Sequence, residues 1–180
     1  MTDFNLYYKP IKLEKFRKND KYVIPCDCVV LGDWKPTAPV EVQGFLKVYG
    51  DFRLENGSLN VSGYIFAELG IYAQGDVISG AYMNAGDSIY SAEGNIVAKN
   101  DIRSTGNLVA PNGYIETGEG FGIAVAGKID AKTIKNGANV FAGVNTWAND
   151  PDAEEHITVE KIQKPSKVKL GKVITKKTKK

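Results

Sequence analysis

The sequence is poor in the side chains that most often carry chemistry. It contains one histidine, His156, and two cysteines, Cys26 and Cys28, among 180 residues. One histidine cannot supply the ligands of a zinc site, and cysteines separated by one residue close too small a loop for an unstrained disulfide. We therefore expect two reduced thiols, no metal site, no cofactor and no catalytic residues.

Long apolar runs are also lacking. No stretch of about 18 consecutive apolar residues occurs, which argues against a membrane-spanning helix. The first residues, MTDFNLYYKP, lack a basic segment followed by an apolar one, so they do not predict a secretory signal. We expect a cytoplasmic protein.

The net charge of +2 conceals an uneven distribution. Residues 41–160 carry sixteen acidic and seven basic side chains, whereas residues 161–180 carry nine lysines and no acidic side chain. An acidic body repels nucleic acid and attracts basic proteins over roughly a Debye length. The central part therefore predicts a basic protein partner. The lysine-rich C terminus either aids solubility or contacts an anionic surface weakly.

Between Leu46 and Ala142 the sequence is dominated by a short apolar repeat. An apolar residue returns every six or seven positions, and a small or β-branched residue follows two positions later. This period fits neither an amphipathic helix nor a hairpin sheet. It predicts a solenoid, in which each short strand forms one flank of a coil and the next coil stacks on it.

Residues 18 or 19 positions apart should stack above one another in such a solenoid. They form three columns, which predict three flanks: Val40, Leu59, Val77, Ile96, Ile115 and Ile134; Leu46, Ile65, Met83, Ile102, Phe121 and Val140; and Phe52, Ile71, Ile89, Leu108 and then Val125 or Ile129. We predict an all-β fold, a single three-sided parallel β-helix of about five to six coils with capping segments at both ends.

The chain divides into four predicted segments. Residues 1–39 show no repeat and are expected to cap the first coil, because an open solenoid end exposes unpaired strand edges. Residues 40–145 are the predicted β-solenoid. Residues 146–175 are predicted to form a strand or strap segment, and residues 176–180 a basic tail.

Glycine recurs at one corner of the predicted coil. The dipeptides at that corner are Asn56-Gly57, Gln74-Gly75, Glu93-Gly94 and Asn112-Gly113. Such dipeptides predict turns in which glycine adopts left-handed backbone angles. The segment GEGFG at 118–122 is also interpreted as a corner, because it lacks the strand and helix that flank a phosphate-binding loop.

The repeat Gly-x-aliphatic-x-small, as in Gly75–Ser79 and Gly94–Ala98, resembles that of the bactofilins over about residues 44–142. This resemblance implies a bacterial β-helical protein that polymerises end to end without a nucleotide. Bactofilins have short tails, whereas roughly 40 residues flank this repeat on either side. If those segments cap the coil ends, filament growth is blocked.

Hexapeptide-repeat acyltransferases also have six-residue units, but they place Gly, Asn or Asp directly after the aliphatic residue. This chain has larger side chains there, such as Phe66, Tyr72 and Tyr90. Those enzymes use a histidine base, and His156 lies outside the predicted coils. The sequence therefore predicts a protein that is not an enzyme.

Aromatic residues are predicted on the outside of the coils, because neighbouring residues of a strand point to opposite faces. Phe45, Tyr64 and Tyr82 should form one outward ladder with Phe66 beside them, and Tyr72 and Tyr90 should lie on the next flank. Such a patch is seldom bare on a soluble protein. Either a terminal segment covers it, or it binds a partner.

Three hypotheses about function follow. The first is a protein-binding solenoid, such as an inhibitor or immunity protein that sequesters a basic nuclease toxin. The alternative is a bactofilin-like scaffold that assembles with copies of itself. The third is attachment to an anionic membrane or nucleic acid through the lysine-rich C terminus.

Overall fold

The computed structural model describes residues 13–143 and 156–177. This part of the chain is nearly all β and forms a three-sided parallel β-solenoid of about seven turns. A single turn of 3-10 helix, Leu13–Phe16, precedes the first strand. In the described ranges no helix has the length and apolar character needed to cross a membrane.

The strands are short and are numbered here in chain order. They are β1 (Arg17–Lys18), β2 (Lys21–Ile24), β3 (Cys28–Leu31), β4 (Val40–Val42), β5 (Leu46–Tyr49), β6 (Phe52–Leu54), β7 (Leu59–Val61), β8 (Ile65–Ala67), β9 (Ile71–Ala73), β10 (Val77–Ser79), β11 (Met83–Ala85), β12 (Ile89–Ser91), β13 (Ile96–Ala98), β14 (Ile102–Ser104), β15 (Leu108–Thr117), β16 (Ile123–Val125), β17 (Ile129–Lys135), β18 (Val140–Phe141), β19 (His156–Ile162), β20 (Val168–Leu170) and β21 (Lys172–Thr175).

Each flank is a column of parallel strands. Flank one holds β2, β4, β7, β10 and β13, flank two holds β3, β5, β8, β11, β14, β16, β18 and β20, and flank three holds β6, β9, β12 and β21. The longer strands β15, β17 and β19 pass from flank three into flank one. The predicted stacking is confirmed where Val77 pairs with Leu59 and Ile96, and the third column continues at Ile129.

Alternation along each strand explains the core. A typical strand has three residues, and its first and third side chains point inward while the middle one points outward. Val77, Met83, Ile89 and Ile96 are fully buried. Burying each such side chain stabilises the fold by about 1.5–3 kcal/mol relative to exposure. The interior of the solenoid is therefore a packed aliphatic core.

Buried serines occupy some of the small inward positions. Ser79 Oγ donates a hydrogen bond to the carbonyl oxygen of Gly63 at 3.0 Å, and Ser91 Oγ donates to that of Gly75 at 2.8 Å. Each hydroxyl thus has a partner at a corner of the preceding coil. Because the polar atoms are paired, their burial does not carry the cost of an unmade hydrogen bond.

Phe121 does not lie in the core column in which the sequence pattern placed it. Ile123 pairs with Ile102, and Phe121 is 38% exposed. The coil from Ile102 to Ile123 is longer than its neighbours because residues 118–122 form an added loop. Gly120 adopts a φ of 83° in that loop, which glycine reaches without steric cost.

Close packing between coils, more than backbone angle, explains the repeated corner glycines. Among the four predicted corner glycines only Gly57 has a positive φ, at 95°. A Cβ on Gly113 would lie 2.0 Å from the carbonyl oxygen of Gly94, and a Cβ on Gly94 would lie 2.4 Å from the backbone nitrogen of Asp76. The expected left-handed angle therefore applies to Gly57 and is wrong for the later corners.

Only the first few residues of the described N-terminal segment cap the solenoid. β1 pairs antiparallel with β2 and covers that edge of flank one. β2 and β3 already stack in parallel on β4 and β5. Trp34 packs edge-on between Tyr22 and Phe52, with ring centroids 6.4 and 5.3 Å apart. The solenoid therefore begins at Lys21 and not at residue 40.

The described C-terminal segment continues the solenoid. β19 stacks on β17, β20 on β18 and β21 on β19, all in parallel. These strands extend the columns at the end of the solenoid, so the alternative of a strap along its side is wrong for them. Both extensions explain why there are more turns than the predicted five to six. Residues 1–12, 144–155 and 178–180 lie outside the described ranges, as do the predicted boundary at 145–146 and the end of the basic tail.

Candidate protein-binding surface

Several carboxylates and amides at the corners hold one coil to the next. Asp76 Oδ1 accepts hydrogen bonds from the backbone N–H and the side-chain amide of Asn95, at 2.7 and 2.9 Å. Asn95 Oδ1 in turn accepts from the backbone N–H of Tyr114 at 3.0 Å. These side chains complete the ladder where the chain turns and the strands do not pair. These hydrogen bonds hold successive coils together at the corners, so the outward side chains on each flank project from a well-fixed backbone.

The predicted aromatic ladder is present on flank two. Phe45 and Tyr64 stack with ring centroids 4.7 Å apart, Tyr64 and Tyr82 stack at 4.8 Å, and both pairs are within 5° of parallel. This spacing matches the separation of about 4.7–4.9 Å between neighbouring strands. The rings stack because each of these residues directly precedes a strand of flank two, and those strands, β5, β8 and β11, pair with one another in order.

An aspartate occupies the ladder position at each end of the ring stack. Asp27 Oδ1 accepts a hydrogen bond from the backbone N–H of Phe45 at 3.0 Å, and Asp101 Oδ1 accepts from that of Gly122 at 2.8 Å. Neither end position therefore continues the stack with a ring. Tyr82, the last ring, is 41% exposed.

Phe66 lies beside the ladder in the middle of β8, where its side chain points outward. The ammonium group of Lys47 lies 5.4 Å from the ring centroid of Phe66 and 4.7 Å from that of Tyr49. Such cation–π contacts are worth about 0.5–1 kcal/mol at exposed sites. They hold the two rings in place on the surface.

Tyr72 and Tyr90 are register neighbours on flank three. The Arg53 guanidinium lies 4.4 Å from the ring centroid of Tyr72, and the Tyr72 hydroxyl donates to Asp87 Oδ2 at 3.4 Å. Arg53 also forms an ion pair with Asp51 at 2.9 Å. The two tyrosines line a depression of about 270 Å³. Ring positions on this flank are thus set by charged neighbours.

Two further exposed side chains, those of Tyr49 and Leu69, lie at the corner between flank two and flank three. Tyr49 is 37% exposed and Leu69 is 47% exposed. The ring of Tyr72 leans back over this corner, since a Cβ at Gly70 would lie 2.2 Å from it. We call the combined set the aromatic surface; it comprises Phe45, Tyr49, Tyr64, Phe66, Leu69, Tyr72, Tyr82 and Tyr90.

Two tyrosine hydroxyls of this surface, those of Tyr64 and Tyr72, stay protonated at neutral pH. Burial raises the pKa of Tyr64 above its ordinary value of 10.0, and the neighbouring Tyr82 raises it further. Burial also raises the pKa of Tyr72, with added effects from Asp87 and Asp51. Both side chains therefore present a neutral hydroxyl that can donate or accept a hydrogen bond.

Of the two cysteines, Cys28 is buried and poorly suited to react. Cys26 and Cys28 are not bridged. Burial, with a smaller effect from Cys26, raises the pKa of the Cys28 thiol to about 11. A buried, protonated thiol is a poor nucleophile. Within the described ranges, no three His, Cys, Asp or Glu side chains are grouped so that they could hold a metal ion.

All six residues predicted from the sequence lie on the aromatic surface, and the described terminal segments stack at the solenoid ends instead of covering it. Sequence reasoning missed Tyr49 and Leu69. Leu69 stands at a corner where the neighbouring coils have Gly50, Asp87 and Gly106, and that exception is visible in the sequence. Comparison of the chain with protein-family models, curated proteins and solved structures found no significant match.

Proposed function

We propose that this protein is a non-catalytic binding protein whose aromatic surface holds a basic protein partner, as an inhibitor or immunity protein holds a basic nuclease toxin. The observation that supports the proposal is the three-ring stack on flank two, joined through Leu69 to the tyrosines of flank three. Tyrosine is enriched at protein interfaces because it offers a large contact area with a polar end.

Rigidity of the rings favours affinity. Binding normally costs about 0.5–1.5 kcal/mol for each mobile side chain that becomes ordered. Tyr64 is already held between Phe45 and Tyr82, and Tyr72 is held by Arg53 and Asp87. These rings lose little freedom when a partner covers them.

The charge of the coils that carry the aromatic surface supports a basic partner, since residues 41–103 carry eight acidic and four basic side chains. Two cations next to the aromatic surface are paired with carboxylates, Arg53 with Asp51 and Arg103 with Asp101. The exposed Glu68 lies in the corner between the two aromatic flanks. A partner of opposite charge would be steered to this face, and its association rate would fall as salt is added.

The test is retention of a partner by the immobilised protein from a lysate of its own cells, followed by binding of the purified partner. A variant with Phe66→Ser, Tyr72→Ser and Tyr90→Ser removes three rings from the aromatic surface. A control with Ile78→Ser and Val97→Ser removes outward apolar side chains from flank one. We expect a basic protein to bind the wild type and the control one to one and to lose at least about tenfold in affinity with the triple variant.

Two results would count against the proposal. One is that no basic protein is retained by the wild type. The other is that the retained protein binds the triple variant as tightly as the wild type.

Self-assembly is the second candidate, and the C-terminal end of the solenoid favours it. β20 and β21 each pair on one side only within the described residues. Val173 and Ile174 on β21 are 40% and 42% exposed. Open edges of this kind template pairing with another chain, although lysine on an edge strand opposes it. Light scattering decides between the two: a mass that rises with concentration supports assembly, and a constant monomer mass excludes it.

A further inference from the structure

We infer that the end of the ring stack is a binding site for a planar aromatic side chain, and that its natural occupant is a tryptophan of the partner. This inference rests on the proposed function. It assigns to one pocket the role of receiving the partner's anchor residue.

The pocket lies where the stack stops. One face of the Tyr82 ring is covered by Tyr64, whereas the coil that follows has Asp101 in the ladder position. Tyr82 and Phe121 both line a pocket of about 380 Å³ together with Asn84, Asn100, Asp101 and Arg103. The uncovered face of Tyr82 is therefore one wall of this pocket. Its volume is within the range of about 300–1,000 Å³ that is usual for ligand sites.

The regular spacing of the stacked rings indicates that the occupant of the pocket is a planar ring. Rings at successive ladder positions lie 4.7 and 4.8 Å apart. A planar ring placed on the uncovered face of Tyr82 at the same separation would continue the stack by one member. Phe121, which is 38% exposed on the added loop, supplies a second apolar wall. Offset-stacked and edge-to-face contacts both stabilise aromatic pairs.

The polar lining selects among aromatic side chains. Asp101 uses Oδ1 to accept from Gly122, and its Oδ2 lies 3.4 Å from Arg103. Asp101 is 37% exposed and Arg103 is 67% exposed, so their remaining hydrogen-bonding positions are accessible to a ligand. A carboxylate and two asparagine amides can accept the N–H of an indole, which is a donor only. Tryptophan is also the residue type most enriched at interface hot spots, together with tyrosine and arginine.

Nucleotides are the competing source of planar rings. Their phosphates would have to approach coils that carry eleven acidic and seven basic residues between positions 41 and 143. Like charge disfavours that approach. A tryptophan flanked by basic residues has the opposite electrostatic preference, which agrees with a basic partner.

The test uses the full chain and three probes: Lys-Trp-Lys amide, Lys-Ala-Lys amide and adenosine monophosphate. Binding is followed by shifts of backbone amide resonances. We expect Lys-Trp-Lys to bind at least about tenfold more tightly than Lys-Ala-Lys, with the largest shifts at Asn84 and Gly122. Tyr82→Ala and Phe121→Ala should each remove most of that preference.

Matched variants separate ring contact from general damage. Tyr82→Phe keeps the ring and should bind Lys-Trp-Lys within about twofold of wild type, whereas Tyr82→Leu keeps apolar bulk and should not. Val97→Ser removes an outward apolar side chain from flank one, away from the aromatic surface, and should leave the affinity unchanged. Equal binding of the two lysine peptides, an unchanged affinity with Tyr82→Ala, or tighter binding of adenosine monophosphate would each overturn the inference.

The outcomes distinguish this site from the wider proposal. If Lys-Trp-Lys binds at Tyr82 and no basic protein is retained, the site stands and the proposed function is wrong. If a basic partner binds wild type and the variant Tyr82→Ala/Phe121→Ala equally well, the proposed function stands and the tryptophan site is wrong.

Discussion

Tyr64 and Tyr82 stack face to face at 4.8 Å, and they do so because Ile65 and Met83, the next residues along the chain, are register partners in the parallel ladder. The distance between the rings is therefore set by the backbone hydrogen bonds beneath them. Tyr64 is stacked on both faces, by Phe45 and Tyr82, whereas Tyr82 is stacked on one.

Tyr64→Ala should lower the free energy of unfolding more than Tyr82→Ala. Each aromatic pair is worth about 0.5–1.5 kcal/mol beyond the area it buries, and Tyr64→Ala removes two pairs. Urea unfolding of both variants and of the double variant measures the coupling between them. A coupling energy near zero would mean that the stack does not contribute to stability.

Ile96→Asp should prevent cooperative folding, and Val97→Asp should not. Ile96 is fully buried in the middle of a core column, and Val97 is the outward residue of the same strand. An unpaired carboxylate in the core costs several kcal/mol, which is comparable with the whole stability of a domain. Circular dichroism during thermal unfolding compares the two variants. An unchanged melting temperature for Ile96→Asp would show that the core column is misassigned.

Gly113→Ala should destabilise the protein more than Gly32→Ala. The new Cβ at Gly113 would lie 2.0 Å from the Gly94 carbonyl oxygen, and the backbone cannot move aside without disturbing the next coil. We expect a loss of about 2–3 kcal/mol, near the upper end of overpacking costs. Gly32 has a φ of 91° with open space around it, so its substitution should cost about 1 kcal/mol of backbone strain alone. Chemical denaturation gives both values, and the reverse order would contradict this account of the corner glycines.

Asp51 should make stability depend on pH. Burial would raise its pKa, but the hydrogen bond from the Gly70 N–H and the ion pair with Arg53 outweigh burial and lower it below the ordinary value of 3.8. Because the folded-state pKa is the lower one, the ionised carboxylate stabilises the folded state above about pH 4, and this contribution is lost as the pH falls through the lowered pKa.

Asp51→Asn isolates that effect, because the amide oxygen can still accept from Gly70. Wild type should be more stable than the variant by less than about 1 kcal/mol near neutral pH, since Arg53 is half exposed. The gap should close as the pH falls through the lowered pKa of Asp51. A gap that stays constant or widens on acidification would show that the charge of Asp51 is not its cause.

The outward ladder could be predicted from the sequence because its cause is local. Alternation within a three-residue strand and a spacing of 18 or 19 residues are enough to place Phe45, Tyr64 and Tyr82 above one another. The distance between the stacked rings then follows from the separation of about 4.7–4.9 Å between neighbouring strands. The same reasoning placed Tyr72 and Tyr90 correctly on the next flank.

The ends of the solenoid could not be predicted in this way. The coil that includes Trp34 lacks the repeat, and β19, which stacks on β17, is separated from it in the chain by residues 136–155. Whether such a segment caps a coil or becomes one depends on the strand it pairs with, and that strand is distant in the sequence. The prediction for Phe121 was wrong for a related reason, since the added loop at 118–122 puts Ile123 in the core position instead, while Ile134 and Val140 keep their predicted columns.

Sequence periodicity by itself determined that this chain is a three-sided coil with an aliphatic core, because side-chain alternation and coil length are properties of neighbouring residues. Only the tertiary structure decided where the coils begin and end and why Gly94 and Gly113 are glycine. Those features depend on contacts between successive coils, and the pocket between Tyr82 and Phe121 exists only because a longer coil follows a stack of shorter ones.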